Sequence, residues 1–309
     1  MDLRLAEILG YFPDNIKSIL KKTFETAGDS LLEIRIRSGL PLIVNTTQGG
    51  FAVLCDGELS PAIGGAYIVK CQDLKRIFQA ICENSVYAYS EDIRQGFVTI
   101  RGGHRVGITG KAAVSGRKID AFREISSLNI RIAREVIGAA NEIVNDVFTP
   151  WGIKNTLIVA PPMGGKTTVL RDLARQLSDK GIKIGIADDR GEIACLYRGI
   201  PQNNIGVQTD VLENASKAEA IVMLLRSMSP QIIITDEIAT SDDAEAIKKC
   251  FGTGVSVIAT THGKSIDEIK KRPVINELLG GIGFSQIIML NKDGYGLSTK
   301  IFGTVSEVV

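Results

Sequence analysis

Histidine is almost missing from this sequence: among 309 residues only His104 and His262 occur. The five cysteines (Cys55, Cys71, Cys82, Cys195, Cys250) are scattered and include no Cys-x-x-Cys pair. A zinc site and a disulfide framework are therefore excluded as organising elements, and the thiols read as the reduced, buried cysteines of a cytosolic protein. An excess of one charge is lacking as well, because 36 Lys plus Arg stand against 35 Asp plus Glu. Chains that live on nucleic acid usually carry a basic excess, so no nucleic-acid partner is expected. No uninterrupted apolar run approaches the ~18 residues of a membrane span. The first ten residues, MDLRLAEILG, carry Asp2 and Glu7 inside their apolar stretch, so no signal peptide is expected there. Direct insertion into a membrane is not expected, which leaves docking on a membrane partner open.

What is present suits two domains. Hydrophobic residues make up 44% of the chain, and its length accommodates two units of about 100–200 residues. Residues 1–134 read as a smaller N-terminal α+β domain. Leu74, Ile77, Phe78, Ile81 and Cys82 recur at helical spacing, whereas Leu32, Ile34 and Ile36 alternate with Glu33, Arg35 and Arg37 as in a half-buried strand. Leu128, Ile130 and Ile132 form a second alternation, and residues 96–110 (GFVTIRGGHRVGITG) read as two short strands around a glycine turn. Ile137, Ala140, Val144 and Val147 predict a linker helix within 135–150, ending at Pro150. From 151 to 309 apolar runs at 156–160, 182–187, 231–235, 255–260 and 286–291 alternate with helical segments. Two of those helices open on Ser216 with Glu219 and Ser265 with Glu268, the spacing of a capping box. This alternation predicts an α/β core with a mainly parallel sheet covered on both faces. Asp293-Gly294 reads as a closing hairpin.

Ala160-Pro161-Pro162-Met163-Gly164-Gly165-Lys166-Thr167 follows the strand 156–159 and precedes a helix expected over Thr168–Leu177. Such a loop aims backbone N–H groups and a helix N-terminus at phosphates. Lys166 would reach the terminal phosphates, Thr168 opens the helix, and the Thr167 hydroxyl would bind Mg²⁺. The first glycine of the usual P-loop pattern is Ala160 here. About 70 residues on, Gln231–Glu237 (QIIITDE) completes the pattern. Its buried strand brings Asp236 to the Mg²⁺ shell and Glu237 to the attacking water. His262 follows the strand 255–260, where parallel-sheet enzymes place ligands, and either contacts the γ-phosphate or is a plain strand-end histidine. Asp188, Asp189 and Glu192 either position water or Mg²⁺ or form an ordinary charged loop. Arg226 either serves the site or caps its helix.

Charge is unevenly spread. Residues 94–134 hold nine Lys or Arg against Asp120 and Glu124, a local excess of +7. Arg101 and Arg105 flank Gly102-Gly103, and Arg131 projects from the polar side of a strand just before the second domain. These are candidates for arginines that clamp a phosphate from another domain; the alternative is a solvated basic face.

GFVTIRGGHRVG, SSLNIRIARE, APPMGGKTTVLRDLARQLS, ADDRGEI, LLRSMSPQIIITDEI and TTHG occur in this order and resemble the stage III sporulation protein AA family of endospore-forming bacteria. More distantly the chain is similar to type II and type IV secretion ATPases and pilus motors. The resemblance implies a RecA-like P-loop ATPase core, ATP and Mg²⁺ as ligands, and self-association into a ring, a hexamer. It further implies a place at the mother-cell membrane, where the ring would energise membrane-embedded channel proteins. By position it matches Lys166 and Thr167 to the P-loop, Glu237 to the catalytic glutamate and His262 to the histidine box. Arg101, Arg105, Arg131 and Arg134 fall in the arginine-bearing region. Where secretion motors have an isoleucine followed by Arg-Asp or Arg-Thr, this chain has Ile238-Ala239-Thr240. Two other readings of the residues stay open: a nucleic-acid-dependent RecA-like ATPase, in which Phe97 and Phe122 would be the only aromatics of the basic segment, and a slow nucleotide switch.

Overall fold

In the computed structural model the structure describes residues 3–115, 118–150, 152–279, 283–293 and 296–302. The chain divides into two compact units, Met1–Arg134 with Tyr197–Gln202, and Glu135–Leu196 with Asn203–Val309.

The first unit runs α1 (Leu3–Ile8), α2 (Asp14–Ala27), β1 (Leu31–Arg37), β2 (Ile43–Thr46), β3 (Gly49–Val53), β4 (Leu59–Ser60), α3 (Cys71–Ile81), α4 (Ser90–Gln95), β5 (Phe97–Ile100), β6 (His104–Ser115) and β7 (Lys118–Arg131). Its strands form one antiparallel sheet in the order β4-β3-β2-β1-β7-β6-β5. One face of such a sheet packs on helices while the other stays polar, so the strands alternate. Ile34, Ile36, Val44, Val98, Val106, Leu128 and Ile130 are buried with the apolar sides of α2 and α3. Leu32 departs from the expected alternation. The register of β1 on β2 shifts between Leu31 and Glu33, so Leu31 is buried and Leu32 is exposed. A bulge inserts one residue and flips the facing of what precedes it.

Along the rest of the chain come β8 (Phe148–Thr149), β9 (Gly152–Ile153), β10 (Thr156–Ala160), α5 (Lys166–Asp179), β11 (Ile184–Asp188), β12 (Leu196–Tyr197), β13 (Ile200–Pro201), β14 (Thr209–Glu213), α6 (Lys217–Ser227), β15 (Ile232–Thr235), α7 (Ser241–Gly252), β16 (Ser256–His262), α8 (Ile266–Lys270), α9 (Pro273–Leu278), β17 (Gln286–Asp293) and β18 (Gly296–Phe302); of these, β13 is counted in the first unit. The main sheet has the order β14-β11-β15-β16-β10-β17-β18, parallel throughout except for β18. Its central strands are buried on both sides, which explains their unbroken apolar runs. Leu157, Val159, Ile233 and Val257 join a core with α6, α7, α8 and α9, while Ile158, Ile232, Ile234 and Ile258 join another with α5.

The linker helix expected within 135–150 is not formed. Residues 137–147 make consecutive turns instead. Gly138 takes φ 87°, Ala140 N–H is captured by Asp172 Oδ2 at 2.9 Å, and Ile143 N–H bonds three residues back to Ala140. The apolar spacing was real all the same, since Ala140, Ile143, Val144 and Val147 are buried beside α5. Ser216 and Ser265 cap α6 and α8 as expected, but the carboxylates close no box: Glu219 accepts from the Ser216 hydroxyl and Glu268 from Lys264 N–H. α5 begins two residues earlier than expected, at Lys166. Asp293 pairs with Gly296 across β17 and β18, and Gly294 lies outside the described residues; so does Arg117 of the basic segment.

Just past β16, Gly263 N–H donates to Ala160 O at 3.1 Å. A Cβ there would stand 2.5 Å from Ile269 Cγ2 and 3.1 Å from Val159 Cγ1. Gly263→Ala is expected to lower stability by ~1–3 kcal/mol through overpacking, read by chemical denaturation of the full chain; an unchanged midpoint would contradict this packing.

Candidate functional site

The carboxyl ends of β10, β15 and β16 are neighbours, and the turn after β10 is tightly built. Gly164 N–H donates to Pro161 O at 3.0 Å, and a Cβ on Gly164 would meet Ala160 Cβ and Pro161 O, each at 2.8 Å. Met163 sits at φ 61°, its side chain exposed, and Gly165 at φ 83° starts α5. The first helical N–H groups have no intrahelical acceptor, and no side chain caps this terminus, so they form an anion-binding end.

Around that terminus lies a cleft of about 350 Å³, lined by Met163 to Thr168, Arg190, Glu192, Asp236, Glu237 and His262. Lys166 is buried, and its Nζ donates to His262 Nδ1 at 2.8 Å. Nδ1 therefore accepts, which places the ring proton on Nε2, and Nε2 faces Glu237 Oε1 at 3.2 Å. The other carboxylate oxygen of Glu237 meets Arg190 Nη1 at 3.3 Å. Burial holds the Lys166 ammonium below the usual lysine range, opposed by the carboxylates of Asp236 and Glu237.

Asp236 is gripped from the first turn of α5 and from β16. Thr167 Oγ1 donates to Asp236 Oδ2 at 2.5 Å, and the Thr260 hydroxyl donates to Oδ1. Glu237 N–H then bonds Thr260 Oγ1 at 2.8 Å and Asp236 Oδ1 at 3.0 Å. These bonds accompany an uncommon backbone: Glu237 has φ 43°, a left-handed conformation that costs a non-glycine residue ~1–3 kcal/mol. Strain of this kind gathers where a side chain must be aimed.

Of the acidic residues left open by the sequence, Asp188 is structural. Buried at the end of β11, it accepts from Glu192, Ile193 and Ala194 N–H at 2.8–2.9 Å and shapes the loop that carries Arg190 and Glu192. Burial pushes its carboxyl up, against those three bonds. Arg171 of α5 ties the same loop down through Glu192 O and Ile193 O at 2.7 and 2.8 Å. Asp189 pairs with Lys217, Glu192 lines the cleft, and Arg226 lies exposed in the last turn of α6.

Arg101, Arg105 and Arg131 belong to the first unit and are not among the lining residues. Arg105 lies over the Phe97 ring at 4.7 Å and pairs across β6 and β7 with Arg131, which stands opposite Glu33 of β1. Arg101 is exposed, and Arg134 donates to Leu31 O at 2.9 Å. Thr260, Arg171 and Arg190 were not singled out as site residues. Thr260 stood inside the Thr260-Thr261-His262-Gly263 signature, but only the strand register reveals that it bridges Asp236 and Glu237.

The architecture is the fold of the P-loop secretion ATPases. X-ray structures that share this fold include the Yersinia pseudotuberculosis ATPase DotB (TM-score 0.62, 14% identity, 96% of this chain and 82% of that one). The pilus retraction motor PilT with bound ADP is similar too (TM-score 0.61, 17% identity, 94% and 83%). By sequence the chain belongs to the sporulation stage III, protein AA family, whose profile matches residues 3–307. It is 37% identical over 311 residues to stage III sporulation protein AA of Bacillus subtilis (strain 168), covering 98% of this chain and 94% of that protein. A 221-residue stretch is also 30% identical to protein SEEDLING PLASTID DEVELOPMENT 1 of Arabidopsis thaliana, which covers 71% of this chain and 30% of that protein.

Thr260→Val replaces the bridging hydroxyl with a methyl and leaves Glu237 N–H with one partner. A stability loss of ~1–3 kcal/mol is expected, with Thr260→Ser recovering most of it. Equal thermal midpoints for the Val variant and the wild type would refute the bridge.

Proposed function

We propose that the chain binds ATP in this cleft and hydrolyses it, as the subunit of a ring-forming motor that energises a channel between mother cell and forespore. The observation that carries the reading is the convergence of Lys166, Thr167, Asp236, Glu237 and His262 on one cleft at a helix N-terminus. An ammonium and a row of N–H groups suit phosphates, and a carboxylate beside them suits water activation.

In this reading the α5 terminus and Lys166 hold the β- and γ-phosphates, Lys166 exchanging His262 for phosphate oxygen. Glu237 orients and polarises the attacking water, and the His262 Nε2–H fixes one carboxylate oxygen while the other faces the water. Arg190 pairs with that second oxygen here, so its release belongs to the productive arrangement. Thr167 and Asp236 present hard oxygen donors side by side, the donor set that Mg²⁺ prefers. Bound there, Mg²⁺ would neutralise charge on the β- and γ-phosphates.

The ring, probed as a hexamer, and the membrane-embedded channel partner rest on family membership and on the secretion-ATPase fold. Among the described residues no helix is long and apolar enough to cross a membrane, which suits attachment through a protein receptor at the mother-cell membrane.

Lys166→Ala is expected to abolish tight ATP binding and turnover, measured by nucleotide titration and phosphate release; wild-type turnover would sink the site. Turnover should also climb steeply with protein concentration, without nucleic acid. A turnover per subunit independent of concentration, in particles of monomer mass with and without Mg-ATP, would contradict the ring.

Lys166 supplies part of the positive charge that the γ-phosphate requires, and an added arginine typically contributes ~10³–10⁵ in rate. At least one of Arg101, Arg105 and Arg131 is proposed to supply it, from its own subunit or a neighbour. Single Ala variants should then split, one losing turnover while keeping fold and most affinity. Mixing that variant with Glu237→Gln subunits restores turnover only if the arginine acts across an interface. Near-wild-type rates in all three would mean that the basic segment is a solvated face.

A further inference from the structure

Lys217 occupies a position that helix energetics disfavours. It is the first residue of α6, after the N-cap Ser216, where the helix dipole presents its positive end. It is also buried, with 6% of its surface exposed. A cation so placed is repelled by the dipole and incurs the cost of desolvation, so its contacts have to offset two penalties.

Those contacts are specific. Lys217 Nζ donates to the backbone carbonyl of Glu237 at 2.6 Å and faces Asp189 Oδ2 at 3.5 Å. Among the described residues no other group donates to that carbonyl. The peptide concerned is the one that follows the left-handed Glu237, at φ 43°. Thr260 and Asp236 hold the N–H side of the residue, and Lys217 holds its C=O side. Lys217 does not line the cleft. Its ammonium therefore touches nothing that reacts, yet it fixes the backbone from which the Glu237 side chain reaches His262.

From this we infer that Lys217 is a positioning residue for hydrolysis. Its ammonium clamps the Glu237 carbonyl so that the carboxylate stays aimed at the cleft, and Asp189 keeps the ammonium in place. The proposal rests on Glu237 being the water-activating group. It differs from a merely structural role in one respect: the clamp acts on the chemical step through Glu237 and leaves the phosphate cradle alone.

The test uses the full chain with Mg-ATP and compares Lys217→Met, Lys217→Arg, Glu237→Gln and the Met/Gln double variant. A positioned acid–base group contributes ~10²–10⁴ in rate, and loss of its aim should forfeit a share of that, ~10- to 100-fold in kcat for Lys217→Met. KM should stay within about threefold, since ground-state binding is untouched. Lys217→Arg keeps the charge on a bulkier head that does not reproduce the 2.6 Å contact, so its kcat should fall between wild type and Met. The double variant should be no slower than Glu237→Gln alone, because both changes remove one function. If Lys217→Met does not fold by circular dichroism, Lys217→Arg decides in its place, with its own double variant. Wild-type kcat in the folded variant, or a loss that multiplies in full with that of Glu237→Gln, overturns the proposal. Wild-type turnover in Glu237→Gln would instead overturn the reading of the site beneath it, so the two failures are separable.

Discussion

In the register that joins β10 to β16, Ala160 stands opposite His262 and Ile158 opposite Thr260. Everything at the cleft depends on that pairing. It brings the histidine against the P-loop lysine, and it sets the threonine beside the end of β15, where Asp236 and Glu237 emerge. A parallel ladder of this kind is held by evenly spaced backbone bonds and by side chains buried on both faces. Its central residues are accordingly apolar, and the polar groups begin only where the strands end. The cleft is thus the place where a rigid sheet stops and the chain must turn.

Turning there has a conformational cost, and the cost falls on particular residues. Met163 and Glu237 both adopt positive φ without being glycine. Each sits between groups that fix it: Met163 in a loop closed by Gly164 N–H on Pro161 O, Glu237 between Thr260 and Lys217. The buried Lys166 and Lys217 are likewise satisfied, one by His262 and the other by a carbonyl and a carboxylate. The result is a preorganised polar cluster in which Lys166, Asp236, Glu237 and Arg190 each have a hydrogen-bonded direction. Electrostatic catalysis draws on arrangements of this sort, because dipoles fixed in advance need not reorganise during reaction.

Much of this was legible in the sequence, for physical reasons. Unbroken apolar runs between helical patterns can be satisfied only by a sheet buried on two faces, and the P-loop pattern is local, so strand, loop and helix are written in consecutive residues. Three features were less accessible. The turns at 137–147 share the apolar spacing of a helix, and Gly138 with the Asp172 contact diverts the backbone in a way that periodicity does not register. Leu32 reads as a core residue until the bulge in β1 changes its face. Lys217 and Thr260 act through partners 20 and 23 residues away, Glu237 in both cases, and such pairings exist only once strand order is known. The N-terminal arginines were visible in the sequence as local charge alone.

In the proposed function one carboxylate of this cleft, that of Glu237, activates the water that attacks bound ATP. The measurement that reaches it most directly is a single-turnover experiment on Glu237→Gln, with ATP affinity and phosphate release recorded on the same preparation. Affinity within about threefold of wild type and phosphate release slowed by at least ~100-fold are expected. Release at the wild-type rate, or a loss of ATP binding that matches the loss of turnover, would contradict it.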